Sequence, residues 1–351
     1  MPHTRDPGSI RSTAEFARYV GLARTTVSRV LNGHPGVKRS TIERVHRALD
    51  QTGFTPNAFA VGLRGKGASV VGICMENLLT PPMVAKLALL QKRLRARGFT
   101  CLIEVLAPGE SRKVVQHFQA MQASAVIFIG HFVPTELTQR VAELRRRKIA
   151  HVLIDQSNIP NANSVSFDRA GAMHLVINHL LDLGHRSFGL LGMNNQEQTT
   201  RDRLRGITEA LAARGLDTAE HTLSLDHLEP RNNDFSFGRA LARRFARLES
   251  PPTALVGVND EVAIGAMLAL EELGLAVPAD VSVTGFNNQD ICLMTSPNVT
   301  SVDQQVESTI EIALDLLGEQ LKHLSDQPVV RMITPSMIAR QSSGAVPRPK
   351  A

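Results

Sequence analysis

Arg24, Thr25 and, one helical turn later, Arg29 stand in a short stretch near the N-terminus, RTTVSRVLN. Arginine can donate two parallel hydrogen bonds to a guanine edge, and threonine can bond a base or touch a thymine methyl. Thr26, Ser28, Asn32 and His34 are polar and suited to phosphate oxygens. The chemistry on offer is recognition of duplex DNA. An ordinary helical bundle with a polar surface would use the same residue types. Charge sharpens the choice only in part. Residues 1–66 carry eleven Lys/Arg against four Asp/Glu, whereas the whole chain nets +6, so the remaining residues sum to −1. A basic small segment on a neutral large one suggests a polyanion partner. A solvated basic face would account for the charge alone equally well.

Three helices must position these side chains. Ser12-Thr13-Ala14-Glu15 places Ser and Glu three apart before an apolar-periodic stretch, the pattern of a capping box. That helix would turn Phe16, Ala17 and Val20 inward and stop at Gly21. A second would bury Val27, Val30 and Leu31, with Asn32-Gly33 and His34-Pro35-Gly36 as the turn after it. A third, STIERVHRALDQTG, spaces Ile42, Val45 and Leu49 helically and ends at Gly53. The short link between the first two predicts a helix-turn-helix, whose second helix enters the major groove with its first residues on base edges.

The motif TTVSRVLNG followed by GFTPNAFAVGL resembles the signature of the LacI/GalR family of bacterial transcription regulators. The family pattern T-V-S-R-V-L-N-G falls on Thr26–Gly33. Its Y-x-P-N-x-x-A-x-x-L falls on Phe54, Pro56, Asn57, Ala60 and Leu63. The resemblance implies that Pro56–Gly67 is a hinge helix, paired with its copy over the operator centre. Asn57 would cap it, and Leu63 would wedge into the minor groove and kink the DNA. The segment is too short to hold as an isolated helix, and Val61 and Gly62 are poor helix formers. Its order is therefore expected to depend on DNA. Two positions depart from the family: Ala23 and Lys38 stand where Ser is usual, so the second and third helices lose a side-chain cap.

From Ala68 onward, apolar runs alternate with amphipathic ones. SVVGICM, FTCLIEV, SAVIFIG, AHVLID, SFGLLGM, TALVGV and DVSVTGF read as buried parallel strands with helices between them. So many units imply two similar doubly wound α/β subdomains, with a ligand cleft beyond the carboxyl ends of the strands. The blocks LGHRSFGLL, RLRGI, VNDEVAIGAM, VPADVSVTGFNN and TSVDQ resemble, in order, the periplasmic-binding-protein type I core of the same family. The resemblance carries effector contacts to Asp155, Arg203, Asn259, Asn287 and Gln304, with Phe235 as the stacking aromatic at a shorter spacing than usual. Leu79–Met83 and the region of His131 would form the N-terminal cleft wall. Asn287-Asn288 stands where the family has Asp-Asp or Asp-Asn. Asn offers a donor and an acceptor where Asp only accepts, so the effector is expected to be atypical or weakly bound.

The expected organisation is a helix-turn-helix domain at 1–55, hinge and linker at 56–67, and a core at 68–340. The subdomains would be about 68–163 with 305–330, and 164–304 with 331–340, followed by a flexible tail, 341–351. The tail lacks a leucine heptad, so a homodimer is expected on a pseudo-palindromic operator, with a sugar or related metabolite as effector. Enzyme signatures are missing. There is no G-x-S-x-G elbow, and GLRGKGAS lacks the spacing of a phosphate loop. His174, His179 and His185 do not form a metal pattern with Cys or carboxylates. The first two are expected to be surface or satisfied residues, and His185 a cationic ring at a helix C-terminus. Neither cofactor nor metal is expected. Cys74, Cys101 and Cys292 suggest neither a disulfide framework nor a metal knot, and fit a reducing compartment. No apolar run of about 18 residues marks a membrane span, and Met1–Ser9 does not read as a secretory leader. The expected location is the bacterial cytoplasm, on the nucleoid. A solute-binding receptor is the alternative reading; it leaves residues 1–66 without a role.

Overall fold

The structure is a computed structural model. It describes residues 10, 12–31, 34–54, 70–76, 80–106, 111–193, 197–225, 233–325 and 327–346. Asn32, Leu79 and the expected hinge at 56–67, with Asn57, Ala60 and Leu63, lie outside the described residues.

The N-terminal unit has helices α1 (Thr13–Val20), α2 (Arg24–Leu31) and α3 (Arg39–Thr52). Ser12 caps α1 by accepting from the Glu15 amide, and Gly21 ends it at φ 69°, a conformation that costs glycine little. Lys38 precedes α3 without a side-chain cap, and Gly53 closes it. Phe16, Val27 and Val45 are fully buried, each adding about 1.5–3 kcal/mol. Phe16 stacks on Phe54 at 4.8 Å between centroids. Arg44 Nη2 donates to the Val20 carbonyl, tying α3 to the end of α1.

The rest of the described chain forms two six-stranded sheets. Along the first run β1 (Val70–Glu76), α4 (Pro81–Ala96), β2 (Thr100–Leu106), α5 (Ser111–Ala120), β3 (Ala123–Ile129), α6 (Pro134–Arg146), β4 (Ala150–Ile154) and β5 (Ser164–Phe167). The second comprises α7 (Arg169–Asp182), β6 (Phe188–Leu191), α8 (Gln198–Ala212), α9 (Thr218–His221), β7 (Thr222–Ser224), α10 (Phe235–Phe245), β8 (Ala254–Gly257), α11 (Asp260–Glu272), β9 (Ser282–Asn287) and β10 (Thr300–Asp303). The chain then returns as α12 (Val306–Lys322) and β11 (Val330–Ile333), and crosses again to β12 (Ser336–Ile338).

Strand order is β11-β5-β4-β3-β1-β2 in one sheet and β12-β10-β9-β8-β6-β7 in the other. The first is wholly parallel, and only β12 runs antiparallel in the second. Parallel strands bring all their carboxyl ends to one edge, where such sheets bind ligands. Three crossings join the sheets, after Phe167, Asp303 and Ile333. Because β5 pairs with β4 and β11, the first sheet continues past the expected boundary near 163 and includes 330–333.

Two expectations need correcting. The tail is anchored as far as it is described. Ser342 is fully buried and its Oγ donates to the Val283 carbonyl at 2.6 Å, while Val346 N bonds Leu183 O at 2.9 Å. His185 does follow the end of α7, but it is not the cation expected there. It is fully buried between Thr253 Oγ1 at 2.9 Å, Ser282 Oγ at 3.1 Å and the Gly344 carbonyl at 3.0 Å. Burial lowers its pKa, so it packs as a neutral ring that holds the tail. His179 Nε2 likewise meets Ser343 Oγ at 2.9 Å.

Candidate functional site

Two surfaces carry the residues singled out above. The first is the outer face of α2. Val27 and Val30 point into the bundle, which leaves Arg24, Thr25 and Arg29 exposed and Thr26 and Ser28 half-buried at its flank. Thr26 N and Val27 N both bond the Ala23 carbonyl, at 2.9 and 3.1 Å. Helix α2 therefore starts regularly, although alanine brings no capping oxygen. His34 is exposed, and its amide donates to Arg29 O at 2.9 Å. Arg24, Thr25, Arg29 and His34 thus share a solvent-facing surface of the basic unit.

The second surface is the cleft where the carboxyl ends of both sheets meet. At its centre is Lys86, on α4. This residue is 2 % exposed and shares the buried stripe of its helix with Leu90 and Leu94. Its Nζ donates to both Asp155 oxygens, at 2.7 and 2.9 Å, and to Gln304 Oε1 at 3.1 Å. Gln304 Nε2 in turn donates to Asn287 Oδ1 at 2.5 Å. Three of the expected residues are therefore joined through one that was not expected. Asp155 follows β4, Asn287 ends β9 and Gln304 follows β10, so the network crosses from one sheet to the other.

Backbone strain accompanies it. Asp155, Asn287, Asn288 and Gln305 have φ of 73°, 116°, 52° and 53°, values that side chains other than glycine adopt only at a cost. Asn288 is fixed by Arg340 Nη2 on its Oδ1 at 2.6 Å, and it donates from Nδ2 to Asp303 at 3.3 Å.

Positively charged side chains dominate the site. Burial alone would raise the Asp155 pKa, but Lys86 and then Arg169 outweigh it and hold the carboxyl at about 2. Arg169 Nη2 lies 3.7 Å from Asp155 Oδ1 and 3.3 Å from His131 Nε2. Burial, reinforced by Arg169, pushes the His131 ring down to about 3. The ring is neutral, and because a guanidinium only donates, Nε2 is the acceptor. Arg203, on α8, lies 4.3 Å over the Phe286 ring. Phe286 meets Phe167 edge-on at 5.9 Å, so the aromatic contact also spans the sheets. Arg203 Nη1 donates to Thr199 O at 3.3 Å, while its Nε and that of Arg169 are buried without a partner.

Asn259 and Phe235 lie apart from this network. Asn259 caps α11, accepting from Val262 N at 2.8 Å and donating to Asn233 O at 2.7 Å. Both ends of its amide are engaged with backbone. Phe235 opens α10, half-buried. Among the described residues, no group of His, Cys, Asp and Glu could hold a metal, and no helix is long and apolar enough to cross a membrane.

Comparison with known proteins finds matches to both parts of the chain. The model of bacterial regulatory proteins of the lacI family matches residues 14–57, and that of the periplasmic-binding-protein-like domain matches 177–343. An HTH-type transcriptional regulator encoded in the aml 5′ region of Streptomyces limosus is 30% identical over 352 residues, covering 98% of this chain and 97% of its own. The chain belongs to the LacI family of bacterial regulatory proteins. The lac repressor dimer bound to operator and the anti-inducer ONPF superposes with a TM-score of 0.83, at 23% identity over 95% of this chain and 99% of that one. A complex of the transcriptional regulator CelR with cellobiose gives 0.66, at 24% identity over 95% and 100%. These two likenesses show the fold. This LacI-family chain is a transcriptional regulator with an N-terminal helix-turn-helix, which leaves the receptor reading without support. Sequence reasoning missed Lys86 and Arg169. Lys86 did leave a signal, a lysine four and eight residues before Leu90 and Leu94, where the stripe calls for an apolar side chain.

Proposed function

We propose that this LacI-family regulator acts as a cytoplasmic homodimeric repressor without catalytic activity. It binds a pseudo-palindromic operator and changes its affinity when a small polar metabolite, a sugar or a relative of one, occupies the cleft. The observation that carries this reading is the Lys86–Asp155–Gln304–Asn287 chain of buried hydrogen bonds. It gathers ligand-type polar groups where both sheets present their strand ends, so a molecule inserted there must bias the angle between subdomains. The sugar-bound CelR relative supports the effector class.

At the DNA, Arg24 and Thr25 read bases, Arg29 reaches the next turn, and Thr26, Ser28, Asn32 and His34 meet phosphates. Asn57, Ala60 and Leu63 belong to the hinge, with Leu63 as the wedge. In the cleft, Asp155, Arg203, Asn287 and Gln304 contact the effector directly. Phe235 and Asn259 form the rim.

Selecting bound duplexes from a random library with the full chain tests the DNA half. A site with two-fold symmetry is expected, and Arg24→Ala should relax one symmetry-related position by about 1–3 kcal/mol. An asymmetric site would remove the dimeric operator. A uniform loss over all sequences would make Arg24 a phosphate contact.

A further inference from the structure

Resting on the reading of the cleft as the effector site, we infer that its effector is an anion, a metabolite whose phosphate or carboxylate group lies between Arg169 and Arg203. Charge is the first observation. Lys86, Arg169 and Arg203 are each at most 8 % exposed. Asp155 is the acid that faces Lys86 and Arg169, and the acids that act on Arg203 are Glu197 and Asp202. The remaining acids nearby are engaged elsewhere. Asp168 caps α7 through the Gly171 amide. Asp260 accepts from Ser301 and Gln289, Glu261 from Gln289, and Asp303 from Asn288 and Gln305. Glu197 is exposed and Asp202 half-buried, bonded to Gln198 and 3.6 Å from Arg205, so both offset Arg203 only in part and neither forms an ion pair with it. Asn287 adds no negative charge of its own. Counted over the described side chains that face one another directly, three buried cations meet one buried carboxylate, and a positive excess withdrawn from water calls for a counter-ion.

Geometry is the second. Both guanidinium groups keep a buried Nε–H without a partner. Arg203 makes one hydrogen bond among the described residues, to a carbonyl of its own helix, and its plane is fixed against Phe286. Arg169 shares one nitrogen between a neutral imidazole and an already paired carboxylate. Each Arg is thus held in place with donors to spare. Forked donors of this kind match the oxygens of phosphate and carboxylate groups. A neutral sugar hydroxyl could accept one such bond but would leave the charge unbalanced.

Thermal shift on the full chain tests this at matched ionic strength. The probes are sodium chloride, inorganic phosphate, glucose, glucose 6-phosphate and glucuronate. The basic N-terminal unit also attracts anions, so the increment that counts is the one lost on Arg203→Met, which keeps the stem over Phe286 but removes the donors. We expect at least one anionic probe to raise Tm saturably, with half-saturation at least tenfold below that of glucose, and the increment to vanish in Arg203→Met. The phosphate and uronate arms separate the two oxyanions. If Arg203→Met does not fold, as judged by circular dichroism, Arg169→Met carries the same test. The inference is overturned if no anion exceeds the chloride control, or if the increment survives the substitution. Operator anisotropy with the same probes separates the two readings. An anion that binds the cleft without changing operator affinity overturns effector control and keeps the anion site. Glucose that changes operator affinity while no anion binds does the reverse.

Discussion

At the scale of the residue, Lys86 dominates the cleft. An ammonium and a carboxylate withdrawn from water are stable there only because each answers the other. Removing one alone is therefore costly. In Lys86→Met, Asp155 would retain only Arg169 at 3.7 Å. A loss of about 3–5 kcal/mol is expected in urea unfolding, with at least half recovered in Lys86→Met/Asp155→Leu. A single-variant loss under about 1 kcal/mol would mean that water already reaches the pair. The pH dependence has a definite sign. Asp155 is held at about 2 against an ordinary 3.8. A folded-state pKa below the unfolded one stabilises the protein above the unfolded value, so this contribution is full above 3.8 and fades as the pH falls towards 2. Asp155 was legible in the sequence because a strand ended on it and the family blocks fell in order around it. Lys86 left only a break in an apolar stripe, and its role was not legible because its partners lie 69 and 218 residues away. The same blindness made His185 a helix-end cation, when the tail that buries it arrives from 159 residues further on.

At the scale of the element, the apolar runs that read as strands became β1–β4, β6, β8 and β9, all of them interior to their sheets except the edge strand β2. The strands that escaped notice, β5, β7, β10, β11 and β12, have three or four residues each. Three of the five, β7, β11 and β12, are sheet edges, and β5 and β10 lie next to one, where pairing rather than hydrophobic patterning defines them. In β5, SVSF, the buried Ser164 and Ser166 would look solvent-facing to any pattern rule. Helix α10 lies against α11 through a reciprocal pair of glycines. A Cβ on Gly238 would overlap the Val262 carbonyl, and one on Gly265 the Phe235 carbonyl. Because the obstacle is backbone, Gly265→Ala must part the helices and displace Phe235, for an expected loss of about 1–3 kcal/mol. Gly318, in α12, has nothing within 4 Å of an added Cβ, and Gly318→Ala should gain about 0.4–1 kcal/mol through helix propensity and a less flexible unfolded chain. Urea midpoints of the two variants decide it. Equal shifts would show that the α10–α11 contact gives way without cost.

At the scale of the molecule, the basic unit and the cleft must share one equilibrium for ligand to control DNA. The charge imbalance of residues 1–66 and the helix-turn-helix were both legible along the chain, because each is local in sequence. The joint between subdomains was not, since it forms only when three crossings bring distant strand ends together. Gln304 occupies the middle crossing. It follows β10 of one sheet and precedes α12, which packs on β4 and β5 of the other. Its amide holds Lys86 on one side and Asn287 on the other. If effector binding moves the subdomains, this amide is where the movement must pass. Operator-saturated protein should then bind effector about 5–150-fold differently from free protein, a coupling of about 1–3 kcal/mol. Gln304→Leu, which keeps the volume and removes both hydrogen bonds, should bring that ratio close to one. Calorimetric titration of effector into free and operator-bound protein measures the ratio directly. A wild-type ratio of one would remove ligand control altogether, and an unchanged ratio in Gln304→Leu would assign the transmission to the other described contacts in the cleft between the two sheets, Arg203–Phe286–Phe167 and Arg169 with Asp155 and His131.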